Sequence, residues 1–250
     1  MTARGFADGA RDVGAGLRFL RAHPRLWGYV VAPALVTLAL MALAIAGVLA
    51  AADPLVDAIA GWLPDAIAGW SHGLVWTLTV IALGFAAVLL FVPLVGVVAD
   101  PFNARLAAAV LAVRTGVARP AVGVAALVRD ALVGLLRGLG RMLGAIVGAV
   151  LLFALSLVPV IGTIAAALIA GWLTARGTAR DCYEAALGAR DLDRPAIQAF
   201  LARHRQRTLG LGAAVAGLLL IPGVNLVALG VGTTGATLAA LELEAGPPPT

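Results

Sequence analysis

Residues 142–174 form an apolar stretch with a break in its middle, and few folds can hold it. The first arm, 142–158, has no charge and one hydroxyl, Ser156. Pro159, Val160, Ile161 and Gly162 break it, and a second uncharged arm runs over 163–173. Proline closely followed by glycine marks a turn. A turn facing water is normally polar, because its backbone groups need water or capping side chains, and this one is apolar. At about 1.5 Å per residue the arms reach ~26 and ~17 Å, against ~30 Å of hydrocarbon. One reading is a hairpin that dips into a membrane without crossing it, its tip sheltered by other helices. An ordinary helical hairpin whose proline suits the turn is the other.

The device recurs near the C-terminus. Residues 208–221 run into Pro222-Gly223-Val224-Asn225, and 226–241 run back. Leu157-Val158-Pro159 and Leu220-Ile221-Pro222 are near copies. Two similar tips suggest a weak internal repeat, as in transporters built with broken helices.

Composition sets the class. Charged residues make up 12% and hydrophobic ones 62%. A soluble domain carries about 25% charged residues, so half that figure points to one integral membrane domain, residues 1–245, with a disordered tail at 246–250. The single cysteine, Cys182, permits no internal disulfide. Net charge is +5, and all 18 cations are arginine. They are interleaved with apolar segments, so positive-inside topology explains them and nucleic acid is not an expected partner. The N-terminus lacks the short apolar core and cleavage pattern of a signal peptide.

In chain order, residues 1–28 mix Arg4, Arg11, Arg18, Arg21 and Arg25 with Phe6, Leu17, Phe19 and Leu20. This predicts an amphipathic helix at the cytoplasmic surface. Residues 29–52 are the first full span, and 53–73 an external loop with Asp53, Asp57, Asp65, Trp62 and Trp70 but no arginine. Residues 74–99 return, kinked near Pro93. Asp100-Pro101 reads as a helix start, and a second surface helix follows Pro120 with Arg129, Arg137 and Arg141 on one face. Gly140, Gly144 and Gly148 make a small-residue ridge suited to close helix contact; glycine abundance accounts for it equally well. Arg176, Arg180, Arg190, Arg194, Arg203, Arg205 and Arg207 lie between the two hairpins. A short helix starts at Pro195 and ends near Thr208. Every arginine, and both termini, then fall on the cytoplasmic side of a multi-pass chain.

Pro101-Phe102-Asn103, the tips Pro159-x-x-Gly162 and Pro222-x-x-Asn225, and Gly235-Ala236-Thr237 occur together and in this order. In these the chain resembles the CysZ sulfate permeases and their relatives in the etoposide-induced membrane protein family, over about residues 5–244 and most closely over 195–241. The resemblance implies an all-α integral membrane protein: two long transmembrane helices, two hemi-penetrating (re-entrant) helical hairpins and amphipathic surface helices. It favours the dipping reading. It further implies a homo-oligomer in the bacterial cytoplasmic membrane that passes sulfate inward for cysteine synthesis. CysZ proteins carry Gly-Leu-Arg-Arg after a proline before the first span, and those arginines are linked to sulfate. Here Pro24 is followed by Arg25-Leu26-Trp27-Gly28: Leu26 matches, Trp27 and Gly28 stand at the arginine positions, and Arg25 stands at the glycine.

No catalytic constellation, metal-ligand spacing, phosphate loop or cofactor motif is visible, so an enzyme is not expected. His23, His72 and His204 are far apart. Asp181 and Glu184, beside Cys182 and Tyr183, are expected to pair with Arg176 or Arg180. An oxyanion entering a low-dielectric region needs fixed donors, because an uncompensated charge there is very costly. Helix N-termini supply them, and each second arm starts one, near Thr163 and Asn225. Thr233, Thr234 and Thr237 add hydroxyls. The candidate anion path is therefore Arg25, Leu26, Thr163, Asn225, Thr233 and Thr237. Against it, Thr163 and Asn225 can simply cap their own helices, the threonines can bond back to theirs, and Arg25 can be a snorkelling anchor. Two functions follow: a permease or channel for sulfate or a similar oxyanion, and a membrane scaffold without transport.

Overall fold

The structure, a computed structural model, describes residues 3–61, 65–117, 140, 144–158 and 160–245. The described residues are helical, without strands. They form α1 (Ala3–Ala22), a 3₁₀ turn (Pro24–Leu26), α2 (Trp27–Ala60) and α3 (Asp65–Thr115). After these come α4 (Gly144–Ser156), α5 (Ile161–Gly188), α6 (Arg194–Arg203), α7 (Arg205–Leu219) and α8 (Asn225–Ala245). The surface helix expected after Pro120, with Arg129, Arg137 and Arg141, lies outside the described residues, as does the tail 246–250.

Several boundaries differ from the sequence reading, each because packing overrides a local signal. The expected external loop is mostly helix: α2 continues through Asp53, Pro54 and Asp57 to Ala60. Ala52 and Val56 are buried there, and the Trp76 Nε1–H of α3 donates to Asp53 Oδ1 at 3.0 Å. Asp100-Pro101 is no helix start, since α3 runs through it for 51 residues in all. Beyond the proline, Leu106, Ala107 and Val110 are buried, and that burial holds the helix together. Nor does the second arm stop at Leu173, because α5 continues to Gly188. Residues 174–188 are mostly helix formers without proline, and the Arg180–Glu184 ion pair one turn apart supports them. α6 begins as expected, with the Asp193 carboxylate accepting from Ala196 N at 3.0 Å and Pro195 in the first turn. It ends at Arg203, short of Thr208, and α7 starts immediately.

Burial divides the molecule into a packed base and apolar arms. The core joins Val13 and Leu20 of α1, Leu26, Val30 of α2, and Leu106 and Val110 of α3. It continues with Tyr183 and Leu187 of α5, Ile197 of α6, Leu211 and Val215 of α7, and Val231, Ala236 and Ala240 of α8. The rest of α2, most of α4, the first half of α5 and the α7–α8 tip expose large apolar side chains: Leu43, Phe153, Leu168 and Leu220 among them. Each aliphatic side chain left in water forgoes ~1.5–3 kcal/mol of burial, and contiguous apolar patches above a few hundred Å² mark interaction or membrane surfaces. Among the described residues two helices are long and apolar enough to cross a membrane, Pro24–Ile59 and Asn225–Ala245. They differ in setting. None of the first one's most apolar window is buried, whereas 61% of the second one's is.

α1 does not lie apart as a surface helix. It crosses α7 and α8 at backbone contact, because glycines meet there. A methyl group on Gly9 would overlap the Arg207 carbonyl, and one on Gly210 the Phe6 carbonyl. Gly16 and Gly235 form the next crossing point, against Val231 and Asp12. The small-residue contacts are therefore here. Gly140, Gly144 and Gly148 meet nothing within 4 Å among the described residues, and the expected ridge has no partner there.

Candidate functional site

Where α1, α7 and α8 meet, one guanidinium ties three helices together. Arg207 Nε donates to Asp12 Oδ2 at 2.7 Å and Nη2 to Asp12 Oδ1 at 2.8 Å, a bidentate pair. Nη2 also donates to Glu242. The Arg207 and Asp12 side chains are only 17% and 11% exposed. Burial raises the Asp12 carboxyl above its ordinary value, outweighing Arg207, while the bond to Asp12 raises Arg207 and keeps it charged. Arg11 and Arg18 line the cleft alongside, with Arg11 paired to Asp8 at 3.1 Å. Near it lies Tyr183, fully buried, whose hydroxyl has no hydrogen-bond partner among the described residues and whose pKa burial raises. Burial and the nearby Arg203 and Arg207 lower the His204 pKa.

Sequence reasoning missed this cluster. Its signal was present: Gly9, Asp12, Gly16 and Leu20 recur at helical spacing, so the face that buries small residues also carries an acid. Nothing in the sequence named Arg207, among many arginines, as the partner.

The expected anion-path residues are not assembled at one place. Thr163 sits at the α4–α5 tip, where its Oγ1 donates across the turn to Ser156 O at 3.3 Å rather than capping its own helix. Asn225 begins α8 at the other tip and is exposed. Both tips carry positive-φ backbone: Gly223 at 82° and Val160 at 63°. With ψ at −66°, Val160 occupies the rarer, strained γ-turn geometry. Thr233 and Thr237 lie together in the core face of α8. Thr237 Oγ1 donates to Thr233 O at 2.8 Å and Thr234 Oγ1 to Gly230 O at 2.9 Å, so both bond back to their own helix. Thr233 Oγ1 is buried beside the Cys182 thiol, with no nitrogen or oxygen partner among the described residues. Arg25 is exposed on the 3₁₀ turn, Leu26 is a core residue, and the Trp27 indole N–H donates to Leu20 O at 3.1 Å. Among the described residues no three His, Cys, Asp or Glu side chains group as metal ligands.

A search of curated proteins finds no match. The family described as sulfate transporter CysZ/etoposide-induced protein 2.4 matches residues 12–229, most of the chain, from the Asp12 face of α1 into α8. The chain is a membrane protein belonging to the sulfate transporter CysZ/etoposide-induced protein 2.4 family.

Proposed function

We propose that the protein is a permease or channel for sulfate or a similar small oxyanion. It sits in the bacterial cytoplasmic membrane with both termini inside and acts as a homo-oligomer. The family match carries this reading. The division into base and arms supports the topology. From Ala175, where α5 enters the core, to its tip at Ile161 the exposed arm is ~21 Å long at 1.5 Å per residue. From Val31 to Ile59 the arm of α2, exposed except at positions such as Ala52 and Val56, is ~42 Å, enough to cross ~30 Å of hydrocarbon with tilt. The α4–α5 arm is too short to cross, which favours a hairpin that dips, and the still shorter α7–α8 tip enters less deeply. The base, which carries the described arginines from Arg176 to Arg207, belongs on the cytoplasmic side. Donors on the path are the starts of α5 and α8 near Thr163 and Asn225, the Thr233 hydroxyl beside the Cys182 thiol with Thr237 next to it, and Arg25 next to Leu26 at the inner mouth.

One observation favours the second reading, a membrane scaffold without transport. Thr234 and Thr237 are buried and satisfied by their own backbone, so those hydroxyls offer an anion nothing as they stand. Cells lacking their own sulfate uptake separate the two. A permease restores growth on sulfate as sole sulfur source; a scaffold leaves the requirement for cysteine.

A further inference from the structure

α5 changes character within one turn. From Ile161 to Leu173 its large side chains are exposed, Ile161 and Leu168 by 77% and 70%; from Ala175 onward one face is buried. At this border the Arg176 guanidinium lies over the Trp172 ring, 5.4 Å from its centroid. Both side chains are exposed. Among the described residues Arg176 has no carboxylate within ion-pair distance, whereas Arg180, one turn on, pairs with Glu184. The start of α2 repeats the pattern, with Arg25 and Tyr29 exposed where core residues Leu26 and Val30 give way to exposed Val31 and Leu35.

We infer that Trp172 and Arg176 form a binding site for the phosphate of an anionic phospholipid headgroup. The inference rests on the reading above that the first half of α5 lies in the bilayer. An indole belongs at headgroup level, with its ring against apolar chains and its N–H toward water. The cation–π contact covers the side of the guanidinium nearest the ring, while the N–H groups directed away from it stay free to grip two phosphate oxygens. A charge with no carboxylate partner among the described residues, at this depth, finds its counter-ion in the lipid. An anionic headgroup is preferred over a zwitterionic one, because no ammonium competes for the phosphate.

Melting of the purified full-length protein in detergent tests this, with phosphatidylglycerol, phosphatidylcholine or inorganic phosphate added singly. Wild type is stabilised most by phosphatidylglycerol. Arg176→Gln weakens its apparent binding about tenfold, equivalent to ~1.4 kcal/mol. Arg176→Lys retains part of it as a point charge, and Arg203→Gln on α6 matches wild type. Unchanged phosphatidylglycerol binding by Arg176→Gln overturns the site. So does equal protection by inorganic phosphate, which would make it a site for a soluble anion. A spin label at Leu168 in liposomes separates the two layers of the argument. Contact with oxygen rather than a water-soluble relaxant, combined with unchanged lipid binding, removes the headgroup site alone. Contact with the water-soluble relaxant removes the membrane arm and the site with it.

Discussion

Asp12 and Arg207, 195 residues apart, are joined by two parallel hydrogen bonds that pin the N-terminal helix across the last hairpin. Removing one partner leaves a largely buried charge short of its counter-ion, although Glu242 still reaches Arg207. Asp12→Ala and Arg207→Ala are each expected to cost about 1–3 kcal/mol, with a coupling of about 1 kcal/mol or more in the double mutant. Thermal melting of the four proteins in one detergent measures it; strictly additive losses would show that the pair holds nothing.

The pH dependence of the same pair has a definite sign. The folded Asp12 pKa is raised above 3.8. Just above that pH the native protein therefore binds more protons than the unfolded chain, and stability falls as pH rises toward the folded value. Relative to Asp12→Asn, wild type should lose stability through this window and level off above it. A relative gain over the window contradicts burial as the dominant influence on Asp12.

The glycines make a contrast that packing alone decides. A side chain at Gly9 or Gly212 meets backbone carbonyls, of Arg207 and Ala175 respectively, while one at Gly144 meets nothing among the described residues. Gly9→Val and Gly212→Val should therefore abolish folding or cost several kcal/mol. Gly144→Ile should stay within about 0.5 kcal/mol of wild type, as surface substitutions usually do. Melting temperatures decide, and a severe effect at Gly144 would show that face to be packed.

Much of the architecture was legible in the sequence because charge and hydropathy are written locally. The two apolar tips, the helix start at Pro195 and the Arg180–Glu184 pair follow from short-range signals. What failed were boundaries where a long-range contact wins. Asp53-Pro54 looks like a loop until Trp76 is seen bonded to Asp53, and Asp100-Pro101 looks like a start until Leu106 and Val110 are seen in the core. The Asp12–Arg207 pair was invisible for the same reason. Of the proposed path, the sequence supplied donor types, but only the structure shows that Thr237 is committed to the Thr233 carbonyl and Thr163 to Ser156.

The tips should be shielded from outside. Cysteines at Val160 and Val224, in a protein whose own Cys182 is buried, should resist an impermeant thiol reagent applied to intact cells, whereas one at Asp57 should react. Rapid labelling of the tips would make the hairpins full spans. Separately, Val160→Gly relieves a positive φ that costs about 1–3 kcal/mol in a non-glycine residue and should raise the melting temperature.

Transport itself is tested by labelled-sulfate entry into vesicles containing only the purified protein. Wild type should admit sulfate above empty vesicles, Arg25→Ala should admit clearly less, and Arg4→Ala should match wild type. If wild-type vesicles admit no more sulfate, thiosulfate or selenate than empty ones, the permease account is contradicted and the scaffold reading takes its place.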